Sequence, residues 1–328
     1  MEKKIKVSFV YRDCIGLSEK HYYTQHRNFL LKALTRNNEI EVKYVICDKI
    51  FDANKLKGNT DVILLYENAN PGHNCVPDEI VGIKNLSIPV IAKVGDPWGV
   101  SKFNVKENHE KYKIDAYFGT FAKEFFYKYY PREFKYEVIL YGIEPSLYNT
   151  VTSFHNRIKE KILNSGAIAS DKFTNRIFAK ITKGEADPIK HYKLRTMCNK
   201  LQYVHYTTTS AHEYVGDKYQ LYLQKYAAAI AATTDIYTMK YFEIPAAGCL
   251  TFMEITDKNY GANLGYRDGE TAIFINEKNY KEKFAEYLND IENPKWEKIA
   301  SAGREFAMAN FNNDKGVESL VTLIKEFN

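Results

Sequence analysis

The residues best placed to do chemistry stand in one stretch, Thr233-Thr-Asp-Ile-Tyr-Thr-Met-Lys-Tyr-Phe-Glu-Ile-Pro-Ala-Ala-Gly248. Before it, Ala227–Ala232 reads as a buried strand of tiny side chains, against which a helix can pack closely. The polar loop Thr233–Thr238 then leads into a short helix expected over Met239–Ala247 and stopped by Gly248. The first turn of a helix carries unpaired N–H groups and the positive end of the dipole, so it favours an anion. Glu243 follows, and a carboxylate there can accept two hydrogen bonds from vicinal hydroxyls. Ala246, Ala247 and Gly248 keep the helix end slim enough for a ligand or another domain to approach.

Other candidates are more isolated. Asp96, within Val94-Gly-Asp-Pro-Trp-Gly99, follows an apolar strand at its C-terminal end, where α/β folds place ligands. It fits a base or a hydroxyl anchor, and equally a turn residue that caps the next segment. Trp98, one of only two tryptophans, can stack on a polar ring. His21 and His26 lie near the first helix, five apart and therefore off a common face; a base competes there with ordinary surface or core histidines. Ser165-Gly166 closes a strand, and Asn175-Arg176 opens the helix expected after it.

The elements that must position these residues alternate. Strand patterns run over Ile5–Tyr11, Ile40–Cys47, Asp61–Tyr66, Ile88–Val94, Ile114–Phe118 and Tyr136–Leu140. Tyr22–Thr35 is helical, with Phe29, Leu30, Ala33 and Leu34 on one face. A short aromatic helix follows within Thr120–Tyr130 and is ended by Pro131. The second half repeats the theme with strands at Lys161–Asn164, Leu201–Tyr206, Ala227–Ala232, Leu250–Ile255 and Thr271–Ile275. Amphipathic helices over Tyr280–Ile291, Trp296–Ala309 and Lys315–Phe327 complete it. Strands separated by helix-sized segments favour parallel sheets with helices on both faces.

The chain of 328 residues is long enough for two domains. Its 45% apolar and 27% charged residues are the balance of a globular protein. The net charge of +5 suits anionic small molecules and falls short of a nucleic-acid-binding signature. Five scattered cysteines, never spaced as Cys-x-x-Cys, argue against a disulfide framework or a zinc site and for a reducing compartment. The N-terminus runs straight into a strand and no apolar stretch is long enough to span a bilayer, so a cytoplasmic location is expected, with peripheral contact to a membrane face left open. No G-x-G-x-x-G, P-loop, G-x-S-x-G or H-E-x-x-H occurs. No Asp-x-Asp is present to hold a divalent cation on a diphosphate, so neutralising one falls to helix N-termini, backbone N–H groups and Arg or Lys.

Lys240-Tyr-Phe-Glu-Ile-Pro-Ala-Ala-Gly-Cys-Leu250 resembles the Arg-x-Phe-Glu-x-x-Ala-x-Gly signature of group 1 glycosyltransferases, in the subgroup that includes the CgeB-like proteins. The resemblance continues in order through Asp268-Gly-Glu-Thr-Ala-Ile-Phe274, Lys281–Asn293 and Ile299-Ala-Ser-Ala-Gly-Arg304. It implies an α/β fold of the GT-B class, two Rossmann-like domains facing a central cleft. Residues 1–148 would form the acceptor-side domain and 149–310 the sugar-nucleotide domain, with a helix over 311–328 packing back on the first.

The resemblance further implies that Glu243 binds the ribose and that Tyr237 and Thr238 face the diphosphate or the donor sugar. The turn at Ser165-Gly166 would face the cleft, with Arg176, or Lys180 one turn on, paired to a phosphate. Lys240 stands where relatives carry Arg, which gives up the bidentate fork. Independently of the resemblance, Asp96 is the catalytic candidate, with Trp98 and His21 on the acceptor side. The implied reaction is metal-free transfer of a hexosyl or pentosyl group from a nucleoside diphosphate sugar, UDP- or GDP-linked, to a hydroxyl on a glycan, polysaccharide or glycoconjugate. The resemblance leans to retention at the anomeric carbon. However, Ile236, beside Asp235, stands where many relatives have a second glutamate, which leaves the stereochemistry open. Three other readings remain: an epimerase of the same fold acting on a sugar nucleotide, a non-catalytic scaffold, and a modified nucleic-acid base as acceptor.

Overall fold

A computed structural model of the chain describes residues 3–12, 24–66, 75–95, 100, 104–169, 191–208 and 214–327. The chain divides into two compact units, residues 1–141 with 313–328, and residues 142–312.

The first unit starts with β1 (Ile5–Tyr11), an apolar run buried along nearly its whole length. A helical stretch follows as α1 (Thr24–Arg27), a π turn over Asn28–Ala33, and α2 (Leu34–Arg36). Phe29, Leu30, Ala33 and Leu34 are all buried, as the helical spacing predicts. Next come β2 (Ile40–Ile46), β3 (Ile50–Asp52), β4 (Val62–Tyr66), β5 (Glu79–Val81) and β6 (Val90–Lys93). The unit continues with α3 (Val105–Tyr112), β7 (Ala116–Gly119), α4 (Lys123–Phe126) and β8 (Tyr136–Val138).

Six of these strands pair in the order β2-β1-β4-β6-β7-β8, all parallel, while β3 and β5 form a separate two-stranded pair. Sheets covered on both faces favour continuous apolar strands, which is why β4 and β6 carry no polar alternation. The aromatic block after β7 is core: Phe126 stacks on Tyr130 and Tyr136 with ring centroids 4.2 and 3.9 Å apart.

In the second unit β9 (Ile158–Ser165), α5 (Lys193–Cys198), β10 (Val204–Thr207), α6 (Tyr219–Leu223) and β11 (Tyr226–Ala231) lead to α7 (Lys240–Ala246) and β12 (Leu250–Glu254). Then come β13 (Ile273–Ile275), α8 (Tyr280–Leu288) and α9 (Pro294–Asn310). The five strands run parallel in the order β10-β9-β11-β12-β13. The chain steps from β9 to β10 on one side, then crosses back to β11 on the other. That reversal opens a crevice at the C-terminal ends of β9 and β11, the place where doubly wound sheets bind ligands.

The last helix, α10 (Asn313–Lys325), belongs to the first unit. Its Val317, Leu320, Val321 and Ile324 share an apolar cluster with Phe29, Leu30 and Leu34. Gly316 permits the approach, since a Cβ there would stand 2.8 Å from the Cβ of Tyr141 and 3.0 Å from the ring of Phe29.

One expectation is corrected. Cys75 is disulfide-bonded, its partner lying outside the described residues, while Cys47, Cys198 and Cys249 are free. Among the described residues no helix is long and apolar enough to cross a membrane.

Candidate anion-binding site at the edge of the second sheet

The crevice of the second unit is floored by the turn after β9. Ser165 ends that strand, and Gly166 follows with φ +110°, a conformation that side chains rarely tolerate. Arg195, on α5, is almost fully buried at this point. Its Nε donates to the carbonyl of Ala232 at 3.2 Å and its Nη1 to that of Ala167 at 2.9 Å. Its own carbonyl accepts from Asn164 Nδ2 at 3.0 Å, and the ring of Tyr192 lies 4.5 Å from the guanidinium. The cation is thus tied to the chain just beyond both strands that flank the crevice. Burial pulls its pKa below the ordinary arginine value.

A second cation meets it. Lys240, the first residue of α7, donates from Nζ to Tyr219 Oη at 3.0 Å and sits 4.9 Å from the centre of that ring. Tyr219 in turn donates to Ser165 Oγ at 2.9 Å. A Cβ built on Gly166 would lie 2.9 Å from Arg195 Nη1, 2.7 Å from Lys240 Cε and 3.3 Å from Lys240 Nζ. The ammonium and the guanidinium therefore face each other over the bare Cα of Gly166. Burial, and then the charge of Arg195, lower the Lys240 pKa to about 8, with Glu243 opposing. Glu243, one turn along α7 and half-buried, is raised by burial and held back by Lys240; its charge is felt by Tyr148 and Tyr219.

The loop before α7 is pinned from beneath. Asn259, fully buried, donates from Nδ2 to the carbonyls of Thr233 and Glu254 at 2.9 and 2.7 Å, and its carbonyl accepts from the N–H of Tyr237. Asp235 Oδ2 lies 2.5 Å from Nδ1 of buried His191, whose carbonyl accepts from the N–H of Thr234. The ring of Tyr237 is buried near Tyr241 and Phe242. The Thr238 hydroxyl is buried with no hydrogen-bond partner among the described residues.

Helix α7 holds its place by replacing the bonds that its sequence removes. Pro245 has no N–H for the carbonyl of Tyr241, and Tyr266 Oη donates to that carbonyl instead at 2.7 Å. At the C-terminal end Arg304 donates to Ala246 O, and Arg157 Nη2 to Ala247 O at 2.9 Å. Further along the sheet edge, Glu254 ends β12 almost wholly buried, with no hydrogen-bond partner for Oε2 among the described residues. Burial and the nearby Glu277 push its pKa up to about 8, with Arg195 opposing.

Of the residues expected from sequence, Ser165, Gly166, Lys240 and Glu243 come together, with Thr238 in the loop that enters α7. Asp96, Trp98, His21 and Arg176 lie outside the described residues. Arg195 and Tyr219 are not among the candidates that the sequence offers. Leu194, Cys198 and Leu201 carry a helical apolar spacing that could have flagged the turn bearing Arg195. Among the described residues no group of three or more His, Cys, Asp or Glu side chains comes close enough to hold a metal ion.

Residues 187–322, a span containing Arg195, Lys240 and Glu243, match the protein family described as glycosyl transferase-like. No curated protein matches the chain. Solved structures resemble it over nearly its whole length. A glycosyltransferase from Rickettsia africae ESF-5 is 12% identical, with 99% of each chain covered and a TM-score of 0.57. HepE from Anabaena, solved in complex with UDP-glucose, is 13% identical, with 98% of this chain and 100% of that one covered and a TM-score of 0.57. Sucrose-phosphate synthase from Thermosynechococcus elongatus is 10% identical, with 98% and 99% covered and a TM-score of 0.58. At such identities the likeness is one of fold, and the fold is GT-B.

Proposed function

We propose that the chain is a glycosyltransferase that moves a sugar from a nucleoside diphosphate sugar to a hydroxyl of a glycan or glycoconjugate. The observation that carries the reading is the meeting of Arg195 and Lys240 over Gly166, at the crevice where a doubly wound sheet binds its ligand. Two cations held this close repel each other until an anion enters. A diphosphate, with negative charge on both phosphoryl groups, answers that need. The family match over 187–322 and a UDP-glucose complex in a structure of the same fold point the same way.

On this reading the second unit holds the donor. Arg195 and Lys240 take the diphosphate, and Glu243 accepts hydrogen bonds from the ribose hydroxyls. The buried Thr238 hydroxyl, without a partner among the described residues, turns to the phosphate or the donor sugar. As the bond to the sugar breaks, charge accumulates on the departing diphosphate, and fixed cations stabilise that state without having to reorganise. Arg195 is the stronger contributor here, because its bonds to Ala167 and Ala232 hold it in place before the donor arrives. The first unit is assigned to the acceptor, and a uridine diphosphate is the favoured leaving group.

Calorimetric titration of the full chain with UDP, GDP and UMP tests the reading, with thermal unfolding alongside. A ligand at about 100 times its dissociation constant adds about 2.7 kcal/mol of stability, readily seen as a raised melting temperature. UDP or GDP should bind at least tenfold more tightly than UMP. Arg195→Met and Glu243→Ala should each lose about tenfold or more. Absence of binding by any nucleoside diphosphate, or binding by both variants as tight as that of the wild type, overturns it.

A further inference from the structure

We propose that Tyr219 is a positioning residue of the anion site: its hydroxyl, oriented by Ser165, fixes where the ammonium of Lys240 stands and so sets the affinity for a diphosphate. The inference rests on the nucleotide-sugar reading above.

A lysine ammonium is a point charge on a flexible four-carbon stem, so a site that needs it in one place must restrain it. Lys240 opens α7, and among the described residues the Tyr219 hydroxyl is the one acceptor its ammonium meets. That hydroxyl gives its proton to Ser165 Oγ, which leaves its lone pairs for Lys240. The direction of the chain is therefore set: Lys240 donates to Tyr219, and Tyr219 donates to Ser165. Ser165 ends β9 and Tyr219 starts α6, so the ammonium is referenced to the same sheet edge that anchors Arg195.

Among the described residues, the groups that face Lys240 are Arg195 from α5, Tyr219 from α6 and Glu243 on its own helix. Arg195 disfavours the ammonium and Glu243 favours it. The Tyr219 oxygen is the neutral acceptor that helps keep it protonated beside the guanidinium. Its ring lies under the charge, but a ring alone attracts a cation without directing its N–H bonds.

Tyr219→Phe keeps the buried ring and removes only the hydroxyl. With UDP and GDP as probes, titrated from pH 6 to pH 10, the variant should bind the nucleoside diphosphate about tenfold more weakly at neutral pH, the cost of one charge-assisted hydrogen bond. The pH at which affinity begins to fall should move down, because the ammonium loses its acceptor. In a Lys240→Met background the same substitution should change nothing further. Ser165→Ala, which frees the phenol to rotate, should give a smaller loss in the same direction. Unchanged affinity and pH midpoint in Tyr219→Phe, with the wild type binding normally, overturns this inference alone. A wild type that binds neither nucleotide overturns the parent reading, and this one with it. A Tyr219→Phe loss that persists in Lys240→Met shows packing and also overturns the positioning role.

Discussion

Arg195 and Lys240 reach Gly166 from two different helices and meet where a single added carbon would touch both. They are not equivalent. Arg195 is held by two backbone carbonyls beyond the ends of β9 and β11, while Lys240 rests on one phenol. One cation is part of the framework and the other can move.

That asymmetry decides what Gly166→Ala should do. The new Cβ would lie 2.7 Å from Lys240 Cε and 2.9 Å from Arg195 Nη1. The flexible lysine yields, and the ammonium is displaced from the site. The positive φ adds about 1–3 kcal/mol of backbone strain, which a globular domain can survive. Affinity for a nucleoside diphosphate should fall about tenfold or more as one of the two cations is lost. Parallel urea unfolding and UDP titration separate the two effects; a variant that loses stability and binds UDP normally would contradict the crowding.

The pH dependence of Lys240 has a definite sign. In the folded chain its pKa is lowered to about 8, against an ordinary 10.5. Between those values the unfolded chain binds the proton more tightly, so stability rises with pH across this window. Diphosphate affinity runs the other way, flat below about pH 8 and falling above it, because a neutral amine does not hold an anion. Lys240→Met should abolish both slopes, which unfolding and titration measured from pH 7 to pH 10 would show.

Much of this site was legible because its signals are local. The alanine strand before Thr233, the helix stopped by Gly248 and the placing of Glu243 are each readable within a few residues, and β11 and α7 form there. Arg195 was not legible: its partners, Ala167 and Ala232, are 28 and 37 residues away, and the apolar spacing of Leu194, Cys198 and Leu201 marks a helical turn without marking what its arginine does. Tyr219 is one of 26 tyrosines, and only the fold distinguishes it from the rest. The short pair β3 and β5 has three residues in each strand, too few for alternation to show. The helix after β1 was expected, but its π turn leaves no mark on apolar spacing.

Glu254 gives a stability prediction with the opposite sign to Lys240. Its folded pKa of about 8 lies above the ordinary value of 4.5. The stability it contributes is fully present below about pH 4.5 and is lost as pH rises towards 8, because the unfolded carboxyl ionises freely while the buried one does not. Glu254→Gln keeps shape and polarity and cannot ionise. It should match the wild type near pH 5 and exceed it near pH 8 by roughly 2–4 kcal/mol. Denaturant unfolding at both pH values measures the difference, and parallel pH profiles would show that the carboxyl reaches water.

The restored carbonyl of α7 can be tested by coupling two substitutions. Tyr266→Phe removes the donor to Tyr241 O, leaving a buried carbonyl unpaired at about 1–2 kcal/mol. Pro245→Ala supplies an N–H at the position from which a regular helix would satisfy that carbonyl. In the Pro245→Ala background the loss of the phenol should therefore cost much less, giving a coupling of roughly 1 kcal/mol from a double-mutant cycle in urea. Additive losses would mean that α7 does not close its own bond when the proline is gone. The helix that carries Lys240 and Glu243 would then owe its geometry to Tyr266 rather than to its own backbone.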